Sequence, residues 1–309
     1  MAWTVLDENT AGAPTLLAVN GSLNTLLRWA LPLLGWSTEF GATGNDSVFR
    51  AASGNRHRLH VRHNSAVSGD AGIAYVRGAH TASSATSVGS PFPTATQVAN
   101  NASNWRAGIE YDPSTPCPFI IAGNGTFFHY FCKSPTYGWE WQYFGDVPSD
   151  YATGYETLIA VRASTSPSGS TAFAAAGYPY PSNDGSHYWA RGINASTVST
   201  QGCRDLPGGT IGRVSSTPPM RGGYQNRLLR ERVAVHDNGS TTGTFGVLGI
   251  PKRGWLPNVW QPMHYGLGGV ADGDTFTDSV YNPAAAFRVI DSPGSGTVIL
   301  ETTDTWSKP

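Results

Sequence analysis

The chain has 309 residues, a net charge of −1 and only 13% charged side chains, yet it carries 37 glycines and 21 prolines. Helical bundles and coiled coils need charged helix surfaces and few Gly or Pro, so this composition excludes them. Ten Trp, 13 Tyr and 12 Phe exclude disorder, and 20 basic against 21 acidic residues exclude the basic surface that tight nucleic-acid binding relies on.

In chain order, the first element is a helix. Leu23, Leu26, Leu27, Ala30 and Leu34 recur at helical spacing, Ser22 is placed to cap them, and Pro32 and Gly35 limit the end. The period then changes to two. From Arg56 to His63 the alternation puts Arg56, Arg58, His60 and Arg62 on one strand face, with Ile73 to Arg77 as a partner strand. Thr81 to Asn104 reads as a long polar loop carrying Phe92-Pro93. Phe119 to Ile121 and Phe127 to Phe131 flank Asn124-Gly125-Thr126, a hairpin in which Asn and Gly supply positive φ. Trp139, Trp141 and Tyr143 alternate in the next strand.

Beyond Asp146, strands are expected at Thr157 to Arg162 and His187 to Arg191, with a weak helix signal at Gln225 to Glu231. Two more hairpins are expected. One joins Arg232–Asp237 to Thr244–Ile250 through Asn238-Gly239, and one joins Ala285–Ile290 to Thr297–Thr302 through Pro293-Gly294. Hairpins and clustered aromatics in each half predict a mainly β fold. It consists of two β-sandwich or barrel-like domains, 1–150 with the short helix and 151–309.

The chemistry-bearing residues point away from catalysis. There is no Gly-x-Ser-x-Gly elbow, His-Glu-x-x-His pair, phosphate loop or dinucleotide fingerprint. A glycosidase that assembled two distant carboxylates would place them together in a cleft, but no enzyme is expected and no cofactor is implied. Cys117, Cys132 and Cys203 form no CxxC pair and are odd in number, so free buried thiols are expected. His57, His60 and His63 lie in a strand that splits them between faces beside Arg56, Arg58 and Arg62, which disfavours a metal. Asp272, Asp274 and Asp278 lack a calcium loop's full ligand set, so a polar turn is favoured. The N-terminus shows no basic start followed by an apolar core. The stretch from Leu23 to Trp36 is too short and interrupted to span a bilayer, so synthesis in the cytoplasm without a membrane anchor is expected.

Interfaces are the remaining candidates. Only three of the 20 basic residues are Lys, and the arginines suit buried or interfacial contacts. An Arg/His sheet face made by Arg56, Arg58 and Arg62 is expected to pair with a neighbour's carboxylates. Trp139 and Trp141 are a second aromatic candidate surface. Arg253-Gly254-Trp255-Leu256-Pro257 and Trp260 form a stiff Pro-flanked loop that either plugs a core between two sheets or anchors a neighbouring subunit.

Seven patches stand out in order along the chain. These are Trp3 with Gly12-Ala13-Pro14 and a Leu-rich helix before Gly35-Trp36, Val48-Phe49-Arg50, Thr126 to Phe131, Phe144-Gly145-Asp146, Arg253 to Pro257, Asp272 to Phe276 and Glu301 to Trp306. In this order the chain resembles a group of virion structural proteins of tailed bacteriophages. The likeness runs from Trp3 to Trp306, with no patch between residues 164 and 225. It implies a late structural protein made in the host cytoplasm and built into the virion in many copies, and it carries over no catalytic residue. A tail, collar or baseplate component bound to itself and to other virion proteins is the leading expectation. The alternatives are a head or capsid-decoration protein, and a carbohydrate-binding host-attachment module using Trp139, Trp141 and Trp255. Neither direct nucleic-acid contact nor membrane contact is expected.

Overall fold

The computed structural model describes residues 2–68, 71–92, 103–108, 112–135, 138–148, 157–161, 187–190, 230–236, 252–262, 271–278, 282–292 and 296–306, and these are mainly β. In chain order the strands are β1 (Thr4–Asp7), β2 (Ser37–Phe40), β3 (Asp46–Arg50), β4 (Arg58–Arg62), β5 (Ile73–Ala79), β6 (Thr81–Ala82), β7 (Val88–Gly89), β8 (Ser103–Arg106) and β9 (Phe119–Gly123). Then come β10 (Phe127–Ser134), β11 (Gly138–Asp146), β12 (Thr157–Val161), β13 (His187–Ala190), β14 (Arg230–His236), β15 (Lys252–Pro262), β16 (Thr275–Asp278), β17 (Asn282–Ser292) and β18 (Gly296–Glu301). A three-turn helix, α1 (Ser22–Leu33), and a single turn, α2 (Ser65–Ser68), complete the described elements.

Helix α1 lies where the apolar spacing places it, with Leu23, Leu26, Leu27, Ala30 and Leu31 buried. Its start differs from the expectation. Ser22 is not the cap: its Oγ accepts from the Leu17 N–H at 3.0 Å, and the N-cap is Gly21 at φ 78°, a conformation that suits glycine. The first-turn Leu23 N–H instead donates to Nδ1 of His63 at 3.0 Å. At the other end Gly35, at φ 91°, donates to Pro32 O and Trp36 donates to Leu31 O, so a left-handed residue and two reversed bonds stop the helix.

Three antiparallel sheets stack into layers. The central one has the order β1-β9-β10-β11-β12-β13 and is apolar on both faces. Period-two alternation sends Ile121, Phe128, Tyr130, Cys132 and Phe144 to one face, where α1 and the sheet β2-β3-β4-β5-β8 cover them through Phe49, Leu59, Val61, Ala74 and Val76. The opposite face carries Ile120, Phe127, Phe131, Trp139, Trp141 and Tyr143. It packs on Leu256, Val259, Ile290, Val298 and Leu300 of the sheet β14-β15-β18-β17-β16. β12 and β13 extend the sheet of β9–β11, so the expected division at residue 150 falls inside a continuous sheet. The core on the C-terminal face of β9–β11 takes side chains from both sides of that point.

Several expected elements sit where they were read, with local differences. β9 and β10 form the expected hairpin, but no residue from Asn124 to Thr126 adopts positive φ. Asn124 Oδ1 accepts from Thr126 N and Oγ1 at 2.9 and 2.7 Å, an Asx turn that closes the loop. The expected loop from Thr81 to Asn104 contains β6 and β7, and Phe92 is fully buried, its N–H and C=O both bonded to Gly78. Arg230 and Glu231, expected in a helix, begin β14, and residues 225–229 lie outside the described residues. β14 pairs with β15; the partner expected at 244–250 also lies outside them. The last hairpin forms as β17 and β18.

Candidate interface

The outer face of the β2–β8 sheet is lined with arginine. The ladders put Arg50 opposite Arg58, His60 opposite Arg77, and Asp46 opposite Arg62. Alternation places all six on the face turned away from α1. Arg58 grips Glu39 with two forked bonds, Nε to Oε2 at 2.7 Å and a terminal nitrogen to Oε1 at 2.8 Å, and it also donates to His80 O. That grip holds the Glu39 carboxyl below the usual carboxylate range and raises Arg58. Arg50 reaches Glu39 at 3.9 Å, and Arg62 Nε meets Asp46 at 3.0 Å. The expected carboxylate partners are therefore, in part, the chain's own.

Arg77 spends its Nε on the neutral Nδ1 of His60 at 2.9 Å. Burial, with Arg77 and Arg62 beside it, pushes the His60 imidazole down to about 3. Arg56 is exposed at φ 56°, just before β4. Arg56, Arg58 and Arg62 are thus joined by Arg50 and Arg77. The signal for that pair was legible, since Arg50 ends one strand and Arg77 lies in the strand predicted to pair with Arg58–Arg62.

Trp139 and Trp141 do not form a surface. They are 3% and 8% exposed because they lie on the central-sheet face that the C-terminal sheet covers. Trp141 stacks on Phe131 and donates through Nε1 to His129 Nδ1 at 3.0 Å. That bond leaves the imidazole proton on Nε2, which donates to Pro257 O at 2.8 Å across the layer. Burial pushes His129 down to about 3, so it is a neutral bridge between two sheets. Trp139 donates to both oxygens of Asp272 at 2.8 and 2.9 Å, and Lys133 Nζ meets the same carboxylate at 2.5 Å. Asp272 and Asp274 therefore form a polar turn that ties the loop before β16 to the central sheet.

The Trp255–Trp260 segment is a strand with a wide bulge, not a free loop. Ala234 faces Trp255 and Arg232 faces Trp260, and Asn258 takes φ 58° between them, a value Asn tolerates. The bulge drives Leu256 and Val259 into the core between two sheets. Trp255 and Trp260 are half-buried, and Trp260 donates to Glu301 Oε2 at 3.2 Å. The Arg253 side chain lies outside the described residues.

Two buried carboxylates escaped the sequence reading. Glu140, 1% exposed, accepts from Arg106 Nε at 2.6 Å, between the central sheet and β8. Its signal was a carboxylate flanked by two inward tryptophans, which must face the opposite core and find a partner there. Glu301, also 1% exposed, accepts from Trp260, from Thr305 N at 3.1 Å and from the Thr305 hydroxyl. Its backbone carbonyl receives Trp3 Nε1 at 3.0 Å, which closes the N-terminal strand on the C-terminal one. Cys117 and Cys132 are free and buried, and Cys203 lies outside the described residues. Among the described residues no group of three or more His, Cys, Asp or Glu is placed to hold a metal ion, and no helix is long and apolar enough to cross a membrane. No protein-family model matches the chain, and no curated protein is similar to it.

Proposed function

We propose that this chain is a non-enzymatic structural component of a tailed-phage virion, in the tail, collar or baseplate region, assembling with copies of itself and with other virion proteins. The observation that carries the reading is the arginine face. Arg50, Arg58, Arg62 and Arg77 share one side of the outer sheet, Arg56 lies close enough to Glu39 to act on its charge, and among the described residues Glu39 and Asp46 are their carboxylate partners. Guanidinium forks held on rigid strands recognise carboxylates at little entropic cost, which suits permanent subunit contacts. The resemblance of the sequence patches, in their order, to those of virion structural proteins supports the same reading. A further support is where the buried polar groups go. Glu140, Glu301, Asp272 and His129 each bond one sheet or strand to another, which makes the three layers a stiff unit for neighbours to bear on.

The tail, collar or baseplate is preferred to a head decoration because a chain of 309 residues offers more surface than a small cement protein needs. Trp139 and Trp141 lie in the core, so two of the three rings a sugar-binding role would use are not offered to a ligand. Antibodies raised against the purified chain test the proposal by electron microscopy. Labelling at one fixed level of intact or partly dissociated particles is expected, and particles that remain unlabelled in both states overturn it.

A further inference from the structure

We propose that the arginine face docks on the acidic end of the central sheet of a second copy of this chain, in a head-to-tail contact. This rests on the self-assembly part of the function proposed above and names the partner of that face.

The face has donors to spare. Arg62 and Arg77 each commit Nε, to Asp46 and His60, and among the described residues their terminal nitrogens make no hydrogen bond. Arg56 is exposed. The partner's chemistry follows from what the face already holds. Glu39 sits bidentate on Arg58, so the spacing of the guanidiniums suits carboxylates. A nucleic-acid backbone would run its phosphates into Glu39 and Asp46, whereas discrete carboxylates on a folded surface fit between them.

Charge arithmetic points to this same chain as the source. Among the described residues, five arginines against two carboxylates leave the face three charges positive. With a net charge of −1 for all 309 residues, the remainder must carry four more negative charges than positive. Part of that excess is gathered in one place. Glu8 Oε2 accepts from Phe119 N at 3.3 Å, Asp7 meets Arg288 at 3.3 Å, and Asp272 meets Lys133 at 2.5 Å. Asp274 lies beside them, its carbonyl accepting from Val289 N at 2.8 Å. Among the described residues, four carboxylates and two cations therefore rim the end of the central sheet where Phe119 and Lys133 lie, and Glu8 and Asp274 are exposed.

The two surfaces belong to different parts of the fold, so one copy can offer both at once. Such a heterologous contact closes into a ring or extends as a filament. Sedimentation of the purified full-length chain tests this. Self-association is expected at about 50 mM salt and should weaken at least about tenfold at about 500 mM, where the Debye length falls to a few ångströms. R56E and E8R change exposed side chains and should each weaken association about tenfold with unchanged circular dichroism. Mixing the two variants should restore it, because the altered face then meets an altered end of opposite sign. A chain that stays monomeric at both salts, or oligomers indifferent to salt and to both substitutions, overturns this contact and leaves membership of the virion standing. Particles without the chain overturn the wider proposal and leave the contact standing.

Discussion

His129 is neutral because it is buried between the central and C-terminal sheets with both ring nitrogens engaged, and its pKa is lowered from 6.5 to about 3. A folded state that binds the proton less readily than the unfolded chain is most stable above the unfolded pKa. It loses that stability as pH falls from 6.5 towards 3. Between pH 7 and pH 5 one such imidazole removes about 2 kcal/mol, by integration of the linkage relation. His60, lowered to the same value, adds a similar loss in the same direction. The substitution His129→Phe removes one of the two titrating groups. It also removes the acceptor of Trp141 Nε1 and the donor to Pro257 O, so it should cost about 2–6 kcal/mol at pH 7 from two lost buried hydrogen bonds. The assay is urea unfolding followed by tryptophan fluorescence at both pH values. Wild-type stability should fall by about 2 kcal/mol more than that of H129F over this interval. Equal pH dependence in the two proteins would refute the neutral-bridge reading of His129.

Further outcomes follow from other contacts. His63→Ala removes the acceptor of Leu23 N and the donor to Ala71 O, and should lower stability by about 2 kcal/mol in the same unfolding assay. Gly78→Ala puts a methyl group into the Phe92 ring, so it should destabilise by about 1–3 kcal/mol. Combining it with Phe92→Ala should cost at least about 0.5 kcal/mol less than the sum of the single changes. Glu140→Gln removes the carboxylate charge that Arg106 Nε meets at 2.6 Å in the core and should cost about 3–5 kcal/mol. Replacing both with Met should cost less than that single change, as read from unfolding midpoints.

Local order was largely legible in the sequence, and long-range pairing was not. The 3.6 period placed α1, because one apolar stripe on a short helix leaves few alternatives. The period of two placed β4 and β11, and turn residues between apolar runs placed β9, β10, β17 and β18. The cap was misread because the first-turn partner is His63, forty residues away, and no local pattern encodes it. The hairpin at Asn124 formed by a different turn, since an Asn side-chain oxygen closes the loop as well as positive φ does. Trp139 and Trp141 read as a candidate surface, and the C-terminal sheet laid across them makes them core. Pro257 and Gly254 suggested a loop, yet a bulge lets a strand absorb Pro where it forms no ladder bond. On the outer sheet the alternation of Arg58 and Arg62 with apolar residues put the charges on one face. Glu39 and Asp46 as their partners required the register of β2 and β3.

Quantitative mass spectrometry of density-purified phage particles tests membership of the virion most directly. Peptides of this chain should be present at a fixed ratio to the other structural proteins, at several copies per particle, through repeated purification. Their presence in the infected-cell lysate but not in the particles would contradict the proposal.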